Sequence, residues 1–99
     1  DPAQTGRTIA DGLRAESPAP IPFEHLRRHR DGVLTVSEQE IAAAMRRAAG
    51  ELRIVLEPSG AATLAAVAAH ASELGEGWVV AVASGGNVDR ARMIEVLRD

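Results

Sequence analysis

Trp78 to Asp89, WVVAVASGGNVD, decides the fold. Six apolar residues in a row run into Ser84, a Gly85-Gly86 pair, and then Asn87 and Asp89, both of which suit the entry of a helix. A strand that is apolar on both faces belongs inside a parallel sheet, and ligands of such sheets gather beyond the carboxyl ends of the strands. Ser84 stands at that edge. Gly85 and Gly86 let the backbone come close to a neighbour or take up positive φ, and Asn87 or Asp89 caps a helix expected from about Arg90 to Arg98. Taken alone, the same residues also describe an ordinary strand-to-helix turn, because a glycine loop becomes specific only in context.

Working outward, Gly77 and Gly75 precede the strand, and Gly75 is the left-handed stop of a helix expected over Pro58 to Leu74. That helix carries alanine at 61, 62, 65, 66, 68, 69 and 71. Small side chains on nearly every side predict a helix sandwiched closely between neighbours. Before it, Ser37 and Glu40 form a capping box, with Val36 and Ile41 placed to close as a hydrophobic staple. Ile41, Ala44, Met45, Ala48, Ala49 and Leu52 keep helical spacing, so one face is buried while Arg46, Arg47 and Glu51 face water. Val33 to Val36 reads as a short strand. Residues 33–99 therefore read strand, helix, helix, strand, helix: an α/β layered fold with parallel strands and helical crossovers. Two strands leave open edges, so further strands are expected from sequence outside this chain.

Residues 1–32 read as an irregular crossing between layers. Prolines at 18, 20 and 22 argue for an extended passage, with a short stretch around Phe23 to Arg30 beyond them. The chain starts at Asp1, as though cut from something longer.

Composition narrows the function classes. Ninety-nine residues suit one domain, and Phe23 and Trp78 are the only aromatics, so the core is aliphatic and alanine-rich. A formal charge of −3 gives no electrostatic reason to expect nucleic acid or an anionic membrane as partner. Ala61 to Ala71, the longest small-apolar run, is about half of what a bilayer crossing requires. Without cysteine there is neither a disulfide nor a thiolate metal site, and cytoplasm is the default expectation. All eleven strongly basic residues are arginine.

Three segments carry a resemblance: TIADG at Thr8 to Gly12, LEPSGA at Leu56 to Ala61, and SGGNVD at Ser84 to Asp89, with VSEQEI at Val36 to Ile41 as a fourth. In this order and spacing they resemble the C-terminal part of the large domain of fold-type II (tryptophan synthase β-like) pyridoxal-phosphate enzymes, in the branch of threonine and serine dehydratases and serine racemase. The resemblance spans nearly the whole chain. It implies pyridoxal 5′-phosphate as cofactor, a small hydroxy amino acid as substrate, β-elimination to a 2-oxo acid and ammonia, and a homo-oligomer completed by the remainder of the enzyme chain.

The resemblance also implies residue roles. Ser84 hydrogen-bonds the pyridine nitrogen; a hydroxyl suits an unprotonated ring nitrogen, where a carboxylate would favour the pyridinium. Gly85 and Gly86 keep bulk away from the ring, and Asn87 holds the turn through its side-chain amide. Gly12 lays backbone beside the cofactor. Glu57 lies near the ring's substituents, although an acid just before a helix is also stabilised by the helix dipole with no ligand present. Asp11 reads as a turn residue, and Ser59 and Gly60 as the helix entry.

One departure matters. The chain has no lysine, so it lacks the ε-amine that carries this cofactor covalently and acts as base at the substrate Cα. Arginine is no substitute, since its pKa stays above about 12. No catalytic residue is therefore expected within these 99 residues. Two rival readings stay open: a non-catalytic α/β module that complements another chain, and racemase chemistry within the same family. His25 and His29 share a helical face at zinc-binding spacing, but the arginines around them and the absent glutamate argue for a solvated basic face. His70 reads as structural, and no serine sits in a GxSxG elbow that would support hydrolase chemistry.

Overall fold

The computed structural model describes residues 8–98, and its core is the contact between two central helices. The part of the expected crossing segment that falls on residues 1–7 lies outside the described residues. Among the described residues the order is a 3₁₀ turn at Asp11–Leu13, helix α1 at Pro20–His29, α2 at Glu38–Arg47, a π turn at Ala48–Leu52, α3 at Pro58–Ala69, a 3₁₀ turn at Ala71–Glu73, and α4 at Arg90–Arg98.

Helix α2 starts where local chemistry dictates. The Glu40 N–H donates to Ser37 Oγ at 3.1 Å, and the Ser37 N–H donates back to Glu40 Oε2 at 2.7 Å, which satisfies two helix-start donors reciprocally. A cap of this kind contributes about 1 kcal/mol. Ile41, Ala44, Met45 and Ala48 then line the buried face, with Val36 packed alongside in the staple position. The helix does not simply fray. It widens into the π turn and stops at Arg53, whose φ of 59° is left-handed.

Helix α3 begins with Pro58 at its first position, where the missing N–H costs nothing. It buries Gly60, Ala61 and Ala65 as it packs against α2, together with Leu56 just before it. Small residues on that stripe let the two backbones approach closely. The expected sandwich is one-sided among the described residues: Thr63, Ala68 and Ala69 are exposed. The helix also ends earlier than the run of alanines suggests. His70 leaves the helical region, a 3₁₀ turn follows, and Gly75 at φ 74° completes the stop. What ends it is the His70 ring, which bonds the Thr35 carbonyl through Nε2 at 2.7 Å and Glu73 through Nδ1 at 3.1 Å.

Helix α4 is capped by Asp89, whose Oδ1 accepts the Arg92 N–H at 2.8 Å, and it inserts Val96 into the core. Arg46 on α2 donates to the Val96 carbonyl at 3.1 Å and so fixes the end of α4.

One expectation needs correction. Residues 20–29 form a helix, not an extended passage. Pro20 and Pro22 occupy its first turn, whose N–H groups have no partner within the helix anyway, so prolines at this spacing start a helix as readily as they prevent one. This helix buries none of its residues. Val33 to Val36 and Trp78 to Ala83 lie outside any helix, as strands would, and form no ladder among the described residues. A strand exists by its ladder to a neighbour, and these segments have none here. Trp78 is 101%, Val80 89% and Val82 66% exposed, values that suit no finished surface of a folded domain. One contact does seat the second segment, a hydrogen bond of 2.6 Å from the Thr63 hydroxyl on α3 to the Val82 carbonyl.

Candidate functional site

The first turn of α3 gathers the residues singled out from three distant segments. Gly12 arrives from one side: its N–H donates to Ser59 Oγ at 2.9 Å. The Ser84–Gly86 loop arrives from the other. The Glu57 N–H donates to the Gly85 carbonyl at 3.1 Å, and Gly60 faces the Ser84 carbonyl so closely that a Cβ on Gly60 would lie 1.5 Å from that oxygen.

The glycines act through protein contacts. A Cβ on Gly85, which stands at φ 73°, would lie 1.8 Å from Glu57 Oε1; one on Gly86 would lie 2.9 Å from the Val55 carbonyl; one on Gly12 would lie 2.8 Å from Ser59 Oγ. In each case the space that a side chain needs already holds protein atoms. Their lack of side chains lets Glu57, Val55 and Ser59 close up on the loop and the turn, which is a different reason for glycine from the bulk-free ring expected of Gly85 and Gly86.

Ser84 itself is exposed, and its hydroxyl has no hydrogen-bond partner among the described residues. Asn87 is likewise exposed and its amide makes no such bond among them, so it does not hold the turn as expected. That work falls to the Val88 N–H, which donates to the Gly86 carbonyl at 2.9 Å, and to the Asp89 cap. Asp11 sits in the first 3₁₀ turn, with its carbonyl accepting the Arg14 N–H, as suits a turn residue. Asp11 and Asn87 nevertheless border one polar cleft, together with Arg14, Pro58 and Arg92.

The TIADG segment is pinned to α2 by a residue that the sequence did not single out. Glu38 accepts the Ile9 N–H through Oε2 at 2.7 Å and the Thr8 hydroxyl through Oε1. Those two donors, the Ile9 amide first, hold its carboxyl below the usual carboxylate range. Within the segment itself, Arg14 donates to the Thr8 carbonyl. Ser59 and Gly60 were legible only as a helix entry; their partners lie in distant segments, and no local pattern reveals them.

His25 and His29 stack with ring centroids 6.2 Å apart on α1, and no group of three metal-ligating side chains occurs among the described residues. No helix among them is long and apolar enough to cross a membrane.

Residues 1–85 match the family model described as pyridoxal-phosphate dependent enzyme. Serine racemase of Schizosaccharomyces pombe is 33% identical over 94% of this chain, and L-threonine ammonia-lyase of Thermotoga maritima 35% identical over 83%. A crystal structure of T.th. threonine deaminase superposes with a TM-score of 0.78 at 41% identity over 87% of the chain. The chain spans 29% of the length of the racemase, 20% of the ammonia-lyase and 29% of the deaminase chain. With a family match over most of its length and a fold shared at this level of identity, the chain belongs to the pyridoxal-phosphate dependent enzymes.

Proposed function

We propose that this chain forms the pyridine-nitrogen side of the cofactor site in a threonine or serine dehydratase-like ammonia-lyase, whose remaining walls come from sequence outside these 99 residues. The observation that carries the reading is the seating of the Ser84–Gly86 loop on the first turn of α3. Two main-chain contacts, at Gly60 and Glu57, fix the loop's backbone and leave the Ser84 hydroxyl facing open space.

The donor set suits pyridoxal phosphate. An uncommitted hydroxyl donates to an unprotonated ring nitrogen and, unlike a carboxylate at that place, does not enforce the pyridinium. When bound, the cofactor supplies the electron sink that withdraws charge from the amino acid's Cα. Ser84 then tempers that sink, which suits loss of a β-hydroxyl. Gly12, held by Ser59, lays its backbone along the ring, and Gly85, Gly86 and Asn87 form the rim from which Ser84 projects. Glu57 offers a carboxylate to active-site water or a ring substituent. The lysine that anchors the cofactor and moves the Cα proton lies outside the chain, as does the residue that would divide dehydratase from racemase chemistry. On the same reading, the exposed apolar segments at 33–36 and 78–83 are parallel strands whose neighbours belong to that outside sequence, in a homo-oligomeric cytoplasmic enzyme acting on a small hydroxy amino acid.

The test replaces Ser84 with Ala in the whole gene product. A changed cofactor absorbance together with at least about a tenfold loss of 2-oxo acid formation from threonine or serine is the expected result. Unchanged absorbance and turnover would overturn the assignment. Formation of the D-amino acid without ammonia release would favour the racemase.

A further inference from the structure

We infer that the Ser59 hydroxyl is a positioning group for the cofactor site: it holds the Gly12 backbone, and together with Gly60 beside it sets the separation between the TIADG wall and the Ser84 wall. This rests on the proposed cofactor role of both walls and goes beyond it by naming what spaces them.

The Asp11–Leu13 turn is exposed, yet its amides bond within the protein and not to water alone. Consecutive N–H groups of the segment are each accounted for. Ile9 donates to Glu38, Ala10 to the Thr8 hydroxyl at 3.1 Å, Asp11 to the Ile9 carbonyl at 2.9 Å, Leu13 to the Ala10 carbonyl at 3.0 Å, and Arg14 to the Asp11 carbonyl at 3.2 Å. Gly12 is the one member whose N–H reaches outside both its own turn and α2, and its acceptor is Ser59 Oγ. That bond is therefore the polar tie between the turn and α3. The fit against Ser59 is tight, because a Cβ on Gly12 would meet Ser59 Oγ at 2.8 Å and Ser59 Cβ at 3.2 Å.

The next residue performs the matching task for the opposite wall. Gly60 admits the Ser84 carbonyl into the space its own Cβ would fill. Ser59 and Gly60 are adjacent on the rigid first turn of α3, so one dipeptide fixes both walls relative to each other. Loss of the Ser59 oxygen frees one wall while leaving the other seated. A site in which the ring lies along the Gly12 backbone while its nitrogen meets the Ser84 hydroxyl responds to such a release in affinity, whereas helix α3 loses no hydrogen bond of its own.

The experiment compares Ser59→Ala and Ser59→Thr in the whole gene product, with Ser84→Ala as reference. Two quantities are read: the Kd for pyridoxal phosphate by absorbance titration, and hydrogen-exchange protection of the Gly12 amide in the cofactor-free protein. One hydrogen bond of ordinary strength corresponds to a change of up to about tenfold. Ser59→Ala is expected to weaken the cofactor about tenfold and to deprotect the Gly12 amide, while Ser59→Thr, which keeps the oxygen, stays within about threefold of the parent on both readouts. Unchanged affinity in Ser59→Ala, a loss of affinity without deprotection of Gly12, or a Thr variant as impaired as the Ala variant would each overturn the inference. Were Ser59→Ala insoluble, Ser59→Cys, a weaker acceptor of similar size, decides by the same two readouts. If Ser84→Ala leaves cofactor absorbance untouched while Ser59→Ala still deprotects Gly12, the assignment of the ring-nitrogen wall has failed and the tie between Gly12 and Ser59 has not.

Discussion

The Ser84 carbonyl oxygen occupies the place of a side chain on Gly60: a Cβ there would lie 1.5 Å away from it. Contact at that distance is impossible, and the obstacle is backbone, which cannot swing aside like the tip of a long side chain. Gly60→Ala must therefore push the Ser84–Gly86 loop off α3. Helix propensity works in the opposite direction, since Ala favours a helix over Gly by about 1 kcal/mol. A variant that loses stability and cofactor affinity despite that gain locates the cause at the loop. We expect both losses, with helix content by circular dichroism retained, and a variant more stable than the parent would contradict the contact.

Gly85 answers to a different constraint. Its φ of 73° is one that side-chain-bearing residues rarely adopt, and the Glu57 carboxylate fills the space beside it. Gly85→Ala adds backbone strain of about 1 kcal/mol and displaces Glu57. The two costs separate in a double variant, because Glu57→Ala clears the space and leaves the strain. Melting curves of Gly85→Ala, Glu57→Ala and the pair should show a double variant less destabilised than the sum of the singles.

Much of this arrangement could be read from the sequence, and the remainder divides by the range of the interactions. Ser37 and Glu40 cap α2 through atoms three residues apart, and Asp89 caps α4 in the same way; both are local, and both were legible, whereas the end of α3 at His70, ahead of the left-handed Gly75, was not. Gly12 and Ser59 are 47 residues apart, and Glu38 lies 29 from Ile9, so their contacts follow from packing that no periodicity reports. The prolines of α1 misled because proline breaks a helix interior and begins a helix equally well, and only the register of the helix tells which applies. The apolar run at Trp78 to Ala83 was legible as strand-forming, but a strand depends on a partner, and its exposure among the described residues reflects that dependence.

Glu38 makes the tie between TIADG and α2 sensitive to acid. Its carboxyl is held below its ordinary value by the Ile9 amide and then the Thr8 hydroxyl. A depressed carboxylate contributes in full above the unfolded value, about 4.3, and loses that contribution as pH falls through the lower folded value. The Ile9 amide should therefore gain exchange protection up to about pH 5 and keep it above that. Glu38→Gln, which does not ionise, is expected to flatten this dependence; an identical acid limb in both proteins would show that another carboxylate governs it.

His70 gives a dependence of the opposite sign. The Thr35 carbonyl, and after it Glu73, raise its pKa above the usual histidine value, since the protonated ring donates from both nitrogens at once. A raised value means that the contribution is complete below the unfolded pKa, about 6.5, and disappears as pH climbs through the folded one. On deprotonation Nε2 can keep its proton and its bond to Thr35, so the part that fades is the pairing with Glu73. Glu73→Gln should accordingly lower the His70 pKa measured by NMR titration while the tie between the end of α3 and the approach to α2 persists at high pH. A His70 pKa unmoved by that substitution would assign the shift to the Thr35 carbonyl together with the Glu40 charge.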